Sequence, residues 1–443
     1  MRFEPIQWLT SLPLPGVLRC RVPDDPESVS SRGAEVPARE VGADPAAIER
    51  IWGAALRVYR TGVHPAFQLC IRHRGAVVLH RCVGHAAGNA PQDPEEMPKV
   101  LATTETPFNI FSASKAVTAM VIHKLDEMGM LRLDDRVCDF IPDFARHGKH
   151  RITLRHILAH RAGIPNLPPE AIDLELLGRP DRVVEILCDA RPRSRPGRLL
   201  AYHAVSGGFV LAEVVRQVCG QEIGRVLEKE ILAPLRLRWM RYGVRREEVP
   251  LVAENALTGP PVPPGLRQIL RGALGTTLAH AVELSNDPRF LLGTIPSANV
   301  VTTALELSAF FQCLLQEGEL DGVRVFDPRT LHRATSEQSF WEVDFTLALP
   351  IRYGLGFMLG DRVSLFGPDN PAAFGHLGLS NVLAWADPQR EIAVAILNSG
   401  KPALSAHVVP LAQMLWEISR AFPRQRRRRR AGGQSRQTGT EGC

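Results

Sequence analysis

Strand-like and helix-like segments are segregated along this chain, and that distribution limits the possible folds more than any motif does. Two runs near the start, Phe67 to His73 and Ala76 to Val83, flank an Arg-Gly turn and read as a hairpin. Three short apolar runs near the end, Tyr353 to Leu359, Asn381 to Ala386 and Glu391 to Leu397, read as antiparallel strands, the last two joined by a DPQR turn. Between them the periodicity is helical. From Ser112, Val117, Met120, Val121, Leu125 and Met128 recur at three- and four-residue intervals, and Gly129 is a stop. Thr153 opens a second helix that ends by Gly163, and further helical patterns occupy Asp181 to Asp189, Val205 to Val218 and Glu222 to Leu232. Strands at both ends with helices between fit an α+β fold. One antiparallel sheet is assembled from the N- and C-terminal portions, with a mostly helical region, about 112–300, inserted.

The flanking segments complete this picture. Residues 1–43, rich in Pro, Gly, Ser and charge, read as an irregular arm. Asp44 and Pro45 then open a helix with Ile48, Ile51, Trp52, Ala55, Leu56 and Tyr59, an aspartate capping the first turn and a proline starting it. Between about 240 and 300 no periodicity is sustained, and the TGPPVPPG run from Thr258 to Gly265 resists any regular element. A helix from Thr303 to Leu315 restores order, and Leu404 to Ile418 makes a closing helix. Residues 44–420 are therefore expected to form one folded unit, followed by a basic disordered tail over 421–443.

That tail accounts for the charge. The formal net charge is +6, and from Ala421 onward seven arginines, Arg424, Arg426 to Arg430 and Arg436, face Glu441 alone. The other 420 residues are close to neutral, so the body carries no signal for nucleic acid, and the tail reads as solvated. Cysteines at 20, 70, 82, 138, 188, 219, 313 and 443 show no CxxC pair and are expected to be reduced. Cys70 and Cys82 flank the hairpin, where a disulfide is a minor alternative. The first twenty residues lack an uninterrupted apolar stretch, and no later segment has the roughly 18 apolar residues of a membrane span. The expectation is a cytoplasmic protein without a membrane span; the oligomeric state is left open.

Three places carry chemistry. Ser112 and Lys115 stand three apart in FSASK at the start of a helix, so the amine lies beside the hydroxyl on one face. A serine hydroxyl needs such a base to become a nucleophile, and a helix N-terminus favours developing negative charge. Alone, the tetrapeptide is equally a helix cap with Ser114 a bystander and Lys115 a surface lysine. Tyr202 in LLAYHAVSG sits at the mouth of a helical pattern, where a phenol can pass a proton if a nearby cation lowers its pKa. His376-Leu377-Gly378 lies just before a strand, and Gly378 would let that strand run close to a substrate.

Taken in this order, these segments resemble the serine β-lactamase and penicillin-recognising family, in its class C-like, family VIII-type esterase branch. FSASK is similar to the family's SxxK, YHA stands at its YxN, and HLG stands at its KTG. ITLRHILAHRAGI from Ile152, TTALELSAFFQCLLQEGELDGVRVF from Thr302 and YGLGFML from Tyr353 resemble its intervening stretches, so the likeness spans about 45–420. The resemblance implies an α/β/α sandwich and an acyl-enzyme on Ser112. Lys115 and Tyr202 would share the proton transfers, the Ser112 and Leu379 N–H groups would form an oxyanion hole, and His376, Gly378 and Ala204 would contact the substrate. No cofactor is implied.

Two departures bear on the substrate. Ala204 replaces the usual asparagine, removing an amide that would hold an acylamino group. His376 replaces lysine, turning a permanent cation into a group mostly neutral near pH 7. Both favour an uncharged small-molecule ester and a serine carboxylesterase. The alternatives are a β-lactamase, D-aminoacyl peptidase or acyltransferase using the same serine, and a catalytically silent binding scaffold. His156 and His160 have zinc-like spacing, but no glutamate follows His156 and no third ligand suggests itself, so no metal is expected.

Overall fold

The structure is a computed structural model that describes residues 16–164, 166–167, 173–340 and 342–425. The first fifteen residues of the arm, Cys443 and the Arg426 to Arg430 run lie outside the described residues.

A single large antiparallel sheet organises the molecule. Its strands are β1 Ser30–Arg32, β2 Ala66–His73, β3 Ala76–Ala87 and β4 Val100–Leu101 from the N-terminal portion. The C-terminal portion adds β5 Met358–Leu359, β6 Phe374–Leu377, β7 Leu383–Asp387 and β8 Ile392–Asn398. The order is β1-β3-β2-β8-β7-β6-β5, with β4 beside β3. The two ends of the chain meet at β2 and β8, where Phe67 pairs with Asn398 and His73 with Ile392. The helices used below are α1 Pro45–Arg60, α2 Ser114–Glu127, α3 Leu154–Leu158, α4 Pro180–Asp189, α5 Ser206–Cys219, α6 Ala304–Leu315 and α7 Val408–Ala421.

Both faces of the sheet are covered, which is why β8 reads IAVAIL without a polar break. Ile392, Val394 and Ile396 join Phe67, Leu69 and Ile71 in one apolar layer under α1 and α7. Ala393, Ala395 and Leu397 point the other way, into the layer shared with α2 and the helical insertion. The small alanines on that face let α6 pack directly on β8. Burying side chains of the Ile or Val size contributes about 1.5–3 kcal/mol each, so this alternation fixes the register of the central strands. The resulting three layers are the α/β/α sandwich of the expected α+β class.

Where the structure differs from the sequence reading, local reasons are visible. The arm is not irregular throughout: β1 pairs with Arg81 to Val83. Glu35 of the arm and Glu49 of α1 both bind the buried Arg81 guanidinium, at 2.8 and 2.7 Å, which explains how so short and polar a strand is held. The 240–300 region contains helices Pro264–Leu274, Leu278–Asn286 and Pro288–Leu292. Pro264 and Pro288 read as breakers but occupy first helical positions, where the missing N–H costs nothing. Only Met358–Leu359 of the expected Tyr353–Leu359 strand joins the sheet. Gly356 has φ +93°, and a Cβ there would lie 2.1 Å from the Ala119 Cβ, so the chain turns to admit α2. The closing helix starts at Val408, four residues later than expected. All seven described cysteines are free; Cys70 pairs with His80 and Cys82 with Gln68, so the hairpin register does not join the two thiols.

Candidate active site

Ser112 sits in a 3-10 turn, Phe111–Ala113, that feeds directly into α2. The turn is fixed on its N-terminal side by the Ile110 N–H bonding the Val300 carbonyl (3.0 Å) and the Phe111 N–H bonding Asn109 Oδ1 (3.1 Å). Phe111 itself has φ +47°, a left-handed conformation that a bulky residue adopts only when its surroundings impose it. On the C-terminal side Ser114 Oγ accepts the Val300 N–H at 3.0 Å, so Ser114 ties the nucleophile turn to the strand Val300–Thr302.

Lys115 Nζ lies 3.0 Å from Ser112 Oγ and donates to the Ser297 carbonyl at 3.1 Å. It is buried, and burial alone, with no carboxylate beside it, holds its pKa well below the ordinary lysine value. The site therefore favours the neutral amine, a base rather than a counter-ion. The ammonium form would also face the Tyr202 ring, whose centroid is 4.8 Å from Nζ.

Tyr202 departs from the sequence expectation. It lies in the turn before α5, buried, with its phenol hydrogen-bonded to Ser112. Burial raises its pKa well above the ordinary phenol value, and the Asp344 charge raises it further, outweighing the Ser112 bond. A phenol activated by a cation is thus replaced by a phenol that keeps its proton. Desolvation outweighs the lysine because that lysine is itself uncharged in the same dry pocket.

His376 falls within β6 rather than before a strand. The glycine at 375 masks the pattern; a Cβ there would lie 2.1 Å from the Ala384 carbonyl oxygen on β7. His376 is buried 6.3 Å, ring to ring, from Tyr202. Burial, with the Lys115 charge second, brings its pKa down to about 3, so the ring is neutral at physiological pH. Its Nδ1 lies 2.8 Å from the Leu377 carbonyl, which only accepts, so the proton sits on Nδ1 and Nε2 carries a free lone pair. Gly378 permits a close approach, but to protein: a Cβ would lie 2.3 Å from the Ile110 carbonyl oxygen. This brings the end of β6 against the nucleophile turn. Among the described residues the Leu379 N–H donates to no protein group. Ala204 is buried beside Tyr202 in the apolar layer.

The zinc-spaced pair is engaged otherwise. His156 Nδ1 caps Thr153 at 3.1 Å and His160 Nδ1 accepts the His203 N–H at 3.1 Å. No cluster of metal-binding side chains occurs among the described residues.

Several residues at the site carried no sequence signal. Asp344 is fully buried and accepts from the Tyr202 N–H and the Tyr353 hydroxyl, both at 3.2 Å, fixing the backbone that carries the phenol. Lys401 is a second buried lysine. Its Nζ donates to the Asn398 carbonyl (2.7 Å) and Oδ1 (3.1 Å) and lies 4.9 Å from the Phe111 ring centroid. Asn398 in turn donates to the Ser380 carbonyl at 3.1 Å, next to Leu379. Asn381 contacts His407 Nε2 at 2.6 Å. One polar network therefore braces both the turn before Ser112 and the turn after His376. Only a fold that returns the chain end beside residue 111 brings these groups together.

Comparison with known proteins gives the family and the fold. The Beta-lactamase family matches residues 52–413. Esterase/beta-lactamase LipL of Mycobacterium tuberculosis is 28% identical over 308 residues, 66% of this chain and 68% of that protein. A penicillin-binding protein homologue from Caulobacter crescentus superposes with TM-score 0.70 at 25% identity, covering 86% of this chain and 99% of that one. A family VIII carboxylesterase superposes with TM-score 0.69 at 24% identity, covering 83% and 96%. With the family matched over most of its length and the fold shared, this chain belongs to the beta-lactamase family and is a serine hydrolase of the β-lactamase and penicillin-binding protein superfamily.

Proposed function

We propose that the protein hydrolyses uncharged carboxylic esters through an acyl-enzyme on Ser112. The observation that carries this reading is the buried, carboxylate-free amine of Lys115 placed 3.0 Å from the Ser112 hydroxyl. As Ser112 Oγ attacks the ester carbonyl carbon, its proton passes to Lys115. Negative charge gathers on the former carbonyl oxygen, for which the Ser112 and Leu379 N–H groups are the donors. The tetrahedral species collapses by breaking the bond to the alcohol oxygen. That oxygen takes a proton from Tyr202, and the lysine ammonium beside the phenol ring returns one to the phenolate. Water then attacks the acyl group on Ser112, giving its proton back through the same pair and freeing the carboxylic acid.

The preference for esters rests on Ala204 and His376. Neither supplies the amide or the fixed cation that would hold an acylamino or carboxylate group. The printed name of LipL joins esterase with β-lactamase, so amide-like substrates belong in the test. With a p-nitrophenyl short-chain ester, rapid mixing is expected to give a burst of p-nitrophenol stoichiometric with enzyme, absent in Ser112→Ala. Faster acylation by a chromogenic cephalosporin than by the ester would reverse the ranking. A burst surviving Ser112→Ala would remove the nucleophile from the proposal.

A further inference from the structure

Four of the large apolar side chains most open to solvent fall within ten residues: Phe340 (73% exposed), Val343 (52%), Phe345 (68%) and Leu349 (53%). Val343, Phe345 and Leu349 belong to a hairpin in which Val343 pairs with Pro350 and Asp344 with Leu349, and Phe340 precedes it in the chain. Its pattern is inverted. Asp344 turns inward to the Tyr202 N–H and the Tyr353 hydroxyl, while its neighbours Val343 and Phe345 turn outward. Burying the acid holds the Tyr202 backbone, but exposing the hydrophobes contributes nothing to an isolated molecule and marks a contact surface.

The loop beside it is strongly basic. Arg191, Arg193, Arg195 and Arg198 are all exposed, and none has an ion-pair partner among the described residues. The two segments are laced together. The Arg161 guanidinium bonds the Gly197 carbonyl (3.4 Å), the Gln338 carbonyl (3.2 Å) and the Glu342 carboxylate (2.5 Å), and the Phe345 N–H bonds the Leu200 carbonyl (2.9 Å). The nearby glutamates are already paired, Glu342 with Arg161 and Glu337 with Arg352 at 2.7 Å, and Asp189 Oδ1 lies 3.2 Å from His147 Nε2.

We propose that Phe340, the 343–350 hairpin and the 191–198 arginine loop form a peripheral docking surface for an anionic lipid bilayer, placed beside Tyr202. Apolar tips flanked by free guanidinium groups match the layers of such a surface. The phenylalanines enter the acyl boundary while the arginines hold phosphate oxygens. A polyanion without an apolar layer leaves Phe340 and Phe345 without partners, and a second copy of the chain would bring like-charged loops together. The surface does not depend on which bond the site cleaves.

The test is co-sedimentation of the full chain with vesicles of phosphatidylglycerol and phosphatidylcholine, against pure phosphatidylcholine. Every protein carries Arg426–Arg430→Gln, so that the basic tail does not contribute. Binding is expected only with the anionic vesicles. It should fall by on the order of 100-fold in a variant with Arg191, Arg193, Arg195 and Arg198 changed to Gln, and by roughly tenfold in Phe340→Ser with Phe345→Ser. Circular dichroism checks folding without reference to activity, so a failed esterase reading stays separable from a failed docking surface. Four outcomes would overturn the proposal: undiminished binding by either variant, equal binding to pure phosphatidylcholine, binding to duplex DNA that needs the arginines but not the phenylalanines, or a concentration-dependent dimer that buries the hairpin.

Discussion

The floor of the site and its rim are built on opposite terms. On the floor, Lys115, Tyr202 and His376 are buried, and desolvation moves each toward its neutral form. On the rim, a few residues from Tyr202 in sequence, four arginines stay exposed and charged while phenylalanines stand in solvent. The contrast separates two tasks. Reactive groups gain from a dry pocket in which a lysine is a base and a tyrosine remains an acid, whereas groups that meet partners must keep their charge and apolar surface available.

The largest expected effect tests the dryness of the interior. His64, His123, His160, His203, His376 and His407 are all held below the ordinary histidine pKa by burial, His123, His203 and His407 to about 4 and His376 to about 3. The unfolded chain takes up protons near pH 6.5, where the folded protein refuses them. Their contribution is complete above about pH 6.5 and is lost as the pH falls toward the folded values. Three such groups over two pH units withdraw roughly 8 kcal/mol, comparable with the whole stability of a domain. Urea midpoints should therefore drop steeply between pH 7 and pH 4.5. Replacing the rim arginines should leave that drop unchanged; a flat midpoint would contradict the assignment of these histidines as buried and neutral.

Next in size is the floor lysine. Lys115→Arg puts a permanent cation where the neutral amine stood and cannot act as a base, and is expected to lower kcat/KM by about 10³-fold, in the range of general-base losses. Substantial activity in this variant would mean that the site needs charge rather than a proton acceptor. In the unaltered enzyme the same lowered pKa predicts that acylation falls toward acid and reaches its plateau well below pH 10.

Smaller still is the effect of the second buried lysine. Lys401→Met removes the donor to Asn398 and the cation near Phe111, leaving buried acceptors unpaired at a cost of about 1–3 kcal/mol. A loss of about tenfold in kcat with KM nearly constant is expected, because the turns flanking the nucleophile loosen while the rim is untouched. A change confined to KM would mean that Lys401 acts on substrate entry. The smallest effect belongs to the rim: Phe345→Ser should change kcat/KM for a soluble short-chain ester by less than about twofold, since the side chain points away from the floor.

How much of this was legible in the sequence follows the same division. Asp44 and Pro45 announced α1 because capping chemistry is local, and FSASK announced the contact between Ser112 and Lys115 because three-residue spacing on a helix is local too. The segregation of strands to the two ends was enough to foresee one composite sheet. What stayed hidden depends on contacts between distant segments. β1 exists because Arg81 gathers Glu35 and Glu49. The Tyr353 run bends because Gly356 must clear Ala119. The helices opened by Pro264 and Pro288 were masked by prolines that usually interrupt. Tyr202 does lie against Ser112, but its pKa moves opposite to the expected direction, since the degree of burial is a property of the fold. Asp344 and Lys401 are an ordinary acid and an ordinary lysine until the fold encloses them.

The central claim, a covalent intermediate on Ser112, is tested most directly by intact-protein mass spectrometry with peptide mapping after brief exposure to a panel of small esters. The account predicts a single adduct of the acyl mass on the Ser112 peptide, gone in Ser112→Ala and graded by acyl size. An adduct on another residue, or steady ester turnover in Ser112→Ala, would contradict it.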